Sequence, residues 1–452
     1  MTDGNSGYVP EGRRRVGLAQ RRIAAKIVQR VLAQGKSLDE QTDPAHGDPL
    51  MRHLPPRDRA FIKALTTTLF RRLGSVRTAL ETLMDKGMPK RAGLFEPVLL
   101  TAATQILFME TAAHAAVDQA VILLGEDRHA KRYSGLANAV LRRLAHDREA
   151  ILAALPADAD LPEWLAARWR DAWGEEETAA IAAGLRLEPP LDATPRDPAD
   201  AAAFAAETGG AVLGHSVRIP HAGAVEKLPG YAAGRFLVQD IAAALPARLL
   251  RFAPGARVAD LCAAPGGKTA QLALAGGAVT AFDRSQTRLD RLRENMARLG
   301  LTAETRRADI LRLEPAAAFD AILLDAPCSA TGTLRRHPDI AWHRNLDDIV
   351  SLAGVQSAML DRARGLLKPG GCLVYATCSL EPEEGEKQAE AFLARFPDMR
   401  RDRVDAEEAG IFSRCVDAAG DIRILPTALD GREPGFAGCD GFFAARFTRL
   451  AD

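Results

Sequence analysis

Apolar side chains between residues 13 and 33 fall at positions 18, 23, 24, 27, 28, 31 and 32, with Arg and Lys on the opposite face. That spacing is helical. Stretches 57–74, 76–87, 94–109, 114–125 and 131–146 repeat it, and no strand-like alternation interrupts them. Residues 13–150 are therefore expected to form an all-helical domain, behind a loose tail over 1–12. The pattern breaks between 155 and 235, a proline-rich stretch with helical pieces at 163–185 and 199–207 and β-like pieces near 211–219. A small α+β connecting module is expected there.

From 236 to 450 the periodicity alternates between strand and helix. Strands are expected at 257–261, 278–282, 303–307, 320–325 and 372–377, and helices at 267–275, 285–299, 346–367 and 383–395. Such alternation predicts a mostly parallel, doubly wound α/β sheet. Residues 441–449 (GFFAARFTR) are expected as a late antiparallel edge strand. Ligands in sheets of this kind sit at the carboxyl ends of the strands.

Composition adds three constraints. Apolar residues make up 47% and charged residues 26%, which suits a soluble globular protein, and no apolar run is long enough to span a membrane. The six cysteines, Cys262, Cys328, Cys372, Cys378, Cys415 and Cys439, show no zinc spacing and no disulfide framework. No metal is expected, and a reducing cytoplasm is the simplest compartment. Net charge is zero, yet residues 1–150 carry 24 Lys and Arg against 16 Asp and Glu. A basic helical part suggests a polyanionic partner such as RNA; a solvated helix surface would read the same way.

The first expected strand runs into Asp260-Leu-Cys-Ala-Ala-Pro-Gly-Gly-Lys-Thr269. Small residues and two glycines opening a helix let a ligand approach the backbone. GGKT resembles the end of a P-loop, but that motif needs Gly where Cys262 stands. Asp283 ends the second strand, placed to accept from ribose hydroxyls, and Asp309 follows the third, placed to accept from an adenine amino group. Each could instead cap a helix. A glycine-rich loop with two ordered acids and no polyphosphate motif favours S-adenosylmethionine over ATP or NAD.

Asp325-Ala-Pro-Cys328 ends the fourth strand and Thr377-Cys378-Ser379 the fifth, so two cysteines reach the cofactor end of the sheet. A lone cysteine there is usually a small buried hydrophobe; two beside an Asp-Ala-Pro suggest chemistry. C5 of cytosine is too weak a nucleophile to take a methyl group unaided. A thiolate adding to C6 makes the ring an enamine, whose C5 then attacks an electrophilic methyl. Asp325 is the candidate to hydrogen-bond the base.

DLCAAPGGKT (260–269), DAPCSATGTLRRHPDIAW (325–342) and YATCSLEPEEGE (375–386) resemble the signature motifs of the NOL/NOP/Sun family of RNA cytosine-C5 methyltransferases. Residues 57–146, ending in SGLANAVLRRLA (134–145), resemble a NusB-like RNA-binding domain, the arrangement of bacterial Sun/Fmu-type 16S ribosomal RNA methyltransferases. The resemblance implies a Rossmann-like S-adenosylmethionine-dependent domain over 236–450, preceded by a NusB-like domain over 13–150 and the small α+β module over 155–235. It implies Cys378 as nucleophile, Cys328 as the residue assisting product release, and Asp325 as the contact to base and cofactor. It carries cofactor binding onto Cys262, Ala263, Ala264, Pro265, Gly266, Gly267, Lys268, Asp283, Arg288, Asp309 and Asp325. The implied substrate is a cytosine of 16S ribosomal RNA at the position-967 type of site, with transfer RNA or another RNA as the alternative. A non-catalytic RNA-binding protein on the same scaffold is the remaining one. Arg335, Arg336 and His337 are candidate RNA-backbone contacts, against a plain solvated loop. A monomer is expected.

Overall fold

The computed structural model describes residues 17–43, 47–314, 316, 318–429 and 436–451. The expected tail over 1–12 and the first turn of the first expected helix lie outside them. The chain divides into two compact units, Met1–Arg170 with His337–Arg344, and Asp171–Arg336 with Asn345–Asp452. Among the described residues no helix is long and apolar enough to cross a membrane.

The first unit is helical. Its principal helices are Leu18–Gln34, Pro56–Arg71, Leu73–Glu81, Phe95–Phe108, Ala113–Glu126 and Ser134–His146. Phe95–Phe108 is apolar all round and buried along nearly its whole length, as expected of a helix at the centre of a bundle. Its polar residues bond locally, Thr101 to Val98 O, Thr104 to Leu100 O and Gln105 to Thr101 O, so burial leaves no open donor there. Ile27, Val31, Leu65, Leu69 and Phe70 pack into the same core. Residues 337–344 complete this unit: Leu38 N donates to Asp339 Oδ2 at 2.9 Å, and Trp342 Nε1 to Phe70 O at 3.0 Å.

The second unit holds two sheets. The smaller is antiparallel, in the order β2-β3-β1-β4, from β1 (Leu191–Pro195), β2 (Ala211–Leu213), β3 (Ser216–Ile219) and β4 (Phe236–Val238). The helical stretch expected over 163–185 is two helices, Glu163–Trp173 and Glu175–Leu185, parted by Gly174 at φ 87°. The larger sheet runs β10-β12-β9-β8-β5-β6-β7, with β11 also pairing β12. Its strands are β5 (Arg257–Leu261), β6 (Ala278–Asp283), β7 (Glu304–Arg307), β8 (Phe319–Asp325), β9 (Leu367–Thr377), β10 (Met399–Arg401), β11 (Ile422–Ile424) and β12 (Phe442–Arg449).

Strands β5 to β9 are mutually parallel, and the order reverses between β5 and β8. That is the Rossmann-like switch point, where a crevice opens above the carboxyl ends. β12 is antiparallel, as expected, but it is not an edge. It pairs with β9 on one side and with β10 and β11 on the other. The reason lies in Phe442–Phe447, a run buried on both faces of the sheet and apolar except for Arg446, which pairs with Glu408. The outer position falls to the short, arginine-bearing β10, a blunted edge.

Candidate functional site

Three loops leave the carboxyl ends of β5, β8 and β9 side by side. Leu261 pairs with Leu324 and Asp325 with Ala376, so Cys262, the Asp-Ala-Pro-Cys loop and Cys378 emerge together. The first loop is strained where the P-loop reading would have required glycine: Cys262 has φ 67°. Gly266, at φ 103°, admits no side chain, because a Cβ there would lie 2.8 Å from Leu292 Cγ. The helix Gly267–Leu274 starts directly behind it.

These loops frame a cleft of about 400 Å³. Its walls include Cys262, Ala264, Asp283, Arg288, Asp309, Asp325, Cys328 and Cys378. The structure thus brings together most of the residues singled out from sequence. Ala263, Pro265, Gly266, Gly267 and Lys268 do not line the cleft; the backbone of the first four shapes the loop. Lys268 is nine-tenths buried behind it, with Nζ 2.7 Å from Asp325 Oδ2 and 5.0 Å from the Phe442 ring centre. Val355 and Met359, from the helix Leu346–Leu366, form an apolar wall that sequence reasoning did not identify. Their spacing marks only an apolar helix face, with nothing to show that the face meets a ligand.

Of the two acids Asp309 caps a helix, whereas the helix after Asp283 is capped by Ser285. Asp283 Oδ1 accepts from Ser285 N at 2.8 Å, and Asp309 Oδ1 caps its short helix through Leu311 N at 3.1 Å. Both still face the cleft. Asp283 Oδ2 is buried without a hydrogen-bond partner, 3.4 Å from Arg288 Nη1, and Arg288 also donates to Ala264 O. A buried carboxylate oxygen with an open acceptor at a cleft wall suits a ligand hydroxyl. The donor set therefore fits a nucleoside.

The two thiols are close: Cys328 Sγ lies 3.4 Å from Cys378 Sγ. Cys328 is buried, and its thiol is pushed well up by Cys378, by burial and by the Glu384 carboxylate. Burial, with Asp325 and Asp283 nearby, pushes the Cys262 thiol up to about 12, which leaves it protonated and inert. Behind the loop, burial raises Asp260 to about 7, opposed by a 2.6 Å hydrogen bond from Thr269 Oγ1. All six cysteines are free. Of the basic trio after Cys328, Arg335 is buried and donates to Ala437 O at 3.0 Å. Arg336 pairs with Asp440, and His337 lies 2.8 Å from Asp39. These side chains have internal partners, although Arg336 also reaches the surface.

A ribosomal RNA small subunit methyltransferase B of Xanthomonas campestris is 37% identical over 96% of this chain and 98% of its own. This chain belongs to that family. The family of 16S rRNA methyltransferases RsmB/F matches residues 247–448, and the NusB family matches 18–146. The Vibrio cholerae member is also 37% identical, over 86% of this chain and 92% of its own. Among solved structures, that of PH0851 superposes with a TM-score of 0.72 at 21% identity, covering 97% of this chain and 99% of its own. That likeness shows a shared fold. Both the Asp-Ala-Pro-Cys and Thr-Cys-Ser loops lie inside the segment matched to the methyltransferase family.

Proposed function

We propose that this protein methylates C5 of a cytosine in 16S ribosomal RNA, with S-adenosylmethionine as methyl donor and Cys378 as covalent nucleophile. The observation that carries the reading is the pair of thiols 3.4 Å apart, in one cleft with Asp325 and the nucleoside-compatible Asp283 and Asp309. A methyltransferase acting on a nucleophilic nitrogen or oxygen has no use for two cysteines there. The Cys262–Lys268 loop, Asp283, Arg288 and Asp309 would hold S-adenosylmethionine, which would supply an electrophilic methyl carbon.

This chain's own residues do the rest. The Cys378 thiolate adds to C6 and makes C5 nucleophilic. Asp325, its Oδ2 fixed by Lys268, accepts a hydrogen bond from the exocyclic amino group and orients the ring for attack. After methylation the C5 proton passes to a water admitted to the cleft, the electron pair of the C5–H bond forms the C5–C6 double bond, and the Cys378–C6 bond breaks to regenerate the thiolate; Cys328, beside Cys378, assists this release. Only an unpaired or flipped-out base reaches the floor of such a cleft. The basic helical unit contributes phosphate contacts that position the RNA, and the reaction belongs to the cytoplasm.

The test is bisulfite sequencing of RNA from cells lacking the gene. One protected cytosine in 16S RNA should disappear, and return with the wild-type gene but not with Cys378→Ala. Loss from transfer RNA instead would overturn the substrate. An active preparation that forms no adduct with 5-fluorocytosine RNA would overturn the nucleophile.

A further inference from the structure

We propose that Glu384 is a positioning residue that holds the two reactive thiols in register, acting through Ser329 and Gln356. The inference rests on the reading of Cys378 and Cys328 given above. Glu384 is fully buried, and the donors to its carboxylate are neutral. Ser329 N donates to Oε1 at 2.9 Å, Ser329 Oγ donates to Oε2, and Gln356 Nε2 donates to Oε1 at 2.9 Å. Burying a carboxylate without a cationic partner is expensive, and a glutamine of the same shape would be easier to bury.

The donors identify what is being held. Ser329 follows Cys328, and Gln356 Nε2 also donates to the carbonyl of Pro327, which precedes it, at 2.9 Å. On the other loop, the Glu384 carbonyl accepts from Thr377 Oγ1 at 3.1 Å, directly before Cys378. It also accepts from Tyr375 Oη at 2.7 Å. Ser329 Oγ lies 3.1 Å from Ser379 Oγ, directly after Cys378. One residue is thus tied to both flanks of both cysteines. Buried hydrogen-bond networks that are fully satisfied fix a unique geometry, and the spacing of the two sulfurs is that geometry.

The charge has a second effect. Cys378, burial and Glu384 raise the Cys328 thiol and the Ala330 N–H lowers it; Tyr375 lies beyond. Removing the Glu384 charge should make the Cys328 thiol more acidic.

The experiment uses full-length Glu384→Gln with two readouts. The first is turnover on 16S RNA beside the amount of adduct trapped on 5-fluorocytosine RNA. Turnover should fall about tenfold or more while adduct still forms, because the sulfurs lose their mutual register but Cys378 remains. The second needs no RNA: iodoacetamide labelling of Cys328 across pH, followed by mass spectrometry, should show its midpoint moved to lower pH. Turnover within twofold of wild type, with an unmoved midpoint, would overturn the proposal. Should Glu384→Gln not fold, Gln356→Met removes the tie to Pro327 and keeps Glu384. The same turnover loss is expected of it, and wild-type turnover would refute the clamp. A wild-type enzyme that traps no adduct would overturn the functional reading instead, a result the labelling curve is independent of.

Discussion

Replacing Lys268 by methionine isolates the contribution of one charge to the site. The side chain is buried, and its Nζ sits 2.7 Å from Asp325 Oδ2 and 5.0 Å from the centre of the Phe442 ring. Methionine keeps the stem and its packing but removes the ammonium. A hydrogen bond between charged groups in such a setting is worth about 1.5–3 kcal/mol. At about 1.4 kcal/mol per tenfold, kcat/KM should fall by about 10- to 150-fold. The loss arises because Asp325 is no longer held with one oxygen tied back and the other free for the base. Single-turnover transfer of labelled methyl to a 16S RNA fragment measures it. A double-mutant cycle with Asp325→Asn sharpens the test, since Lys268→Met should matter much less once its partner is uncharged. A Lys268→Met enzyme within twofold of wild type, or a loss unchanged by Asp325→Asn, would refute this role for the ion pair.

Three further outcomes are expected. Arg218→Met strands Asp192, which pairs with it at 2.7 Å with both side chains buried; unfolding of the second unit in urea should shift by about 3–5 kcal/mol, part of it recovered by adding Asp192→Asn. Gly332→Ala would place a Cβ 2.1 Å from Gly441 O and 2.9 Å from Cys378 O; displacing the Cys378 loop should cut methyl transfer by about 100-fold, while S-adenosylmethionine affinity by calorimetry stays near wild type. Burial raises Asp260 from 3.8 to about 7, so its contribution to stability is full below about pH 4 and is lost as pH climbs through 7. Asp260→Asn should therefore narrow the gap between melting temperatures at pH 5 and pH 8; Asp240 and Asp421, raised to about 7 in the same direction, keep the gap from closing. An unchanged gap would refute the assignment.

The parallel core of the second unit was legible because its central strands carry buried runs, VADL and AILL among them, bounded by loop residues. The short strands β1, β4, β10 and β11 were not. Each is three to five residues long, and each is stabilised by partners distant in sequence, as with Ala193 against Val238. The cysteines could be placed at the strand ends because motif and strand coincide. Their separation follows from the register of β8 and β9, which periodicity does not reveal. Glu384 stayed hidden because one more acid in EPEEGE looks like the polar start of a helix. Only the fold shows it beneath Ser329 and Gln356.

Residues 337–344 belong to the helical unit although they are encoded a few positions after Cys328. A gene fragment ending at residue 170 would therefore lack Asp339 and Trp342, and with them the anchors of Leu38 N and the Phe70 carbonyl. Shuffling this unit between relatives would take three crossovers, one near 170 and one on each side of the returning segment. A simple end-to-end fusion of a helical part to an α/β part would therefore leave the helical part without that stitch.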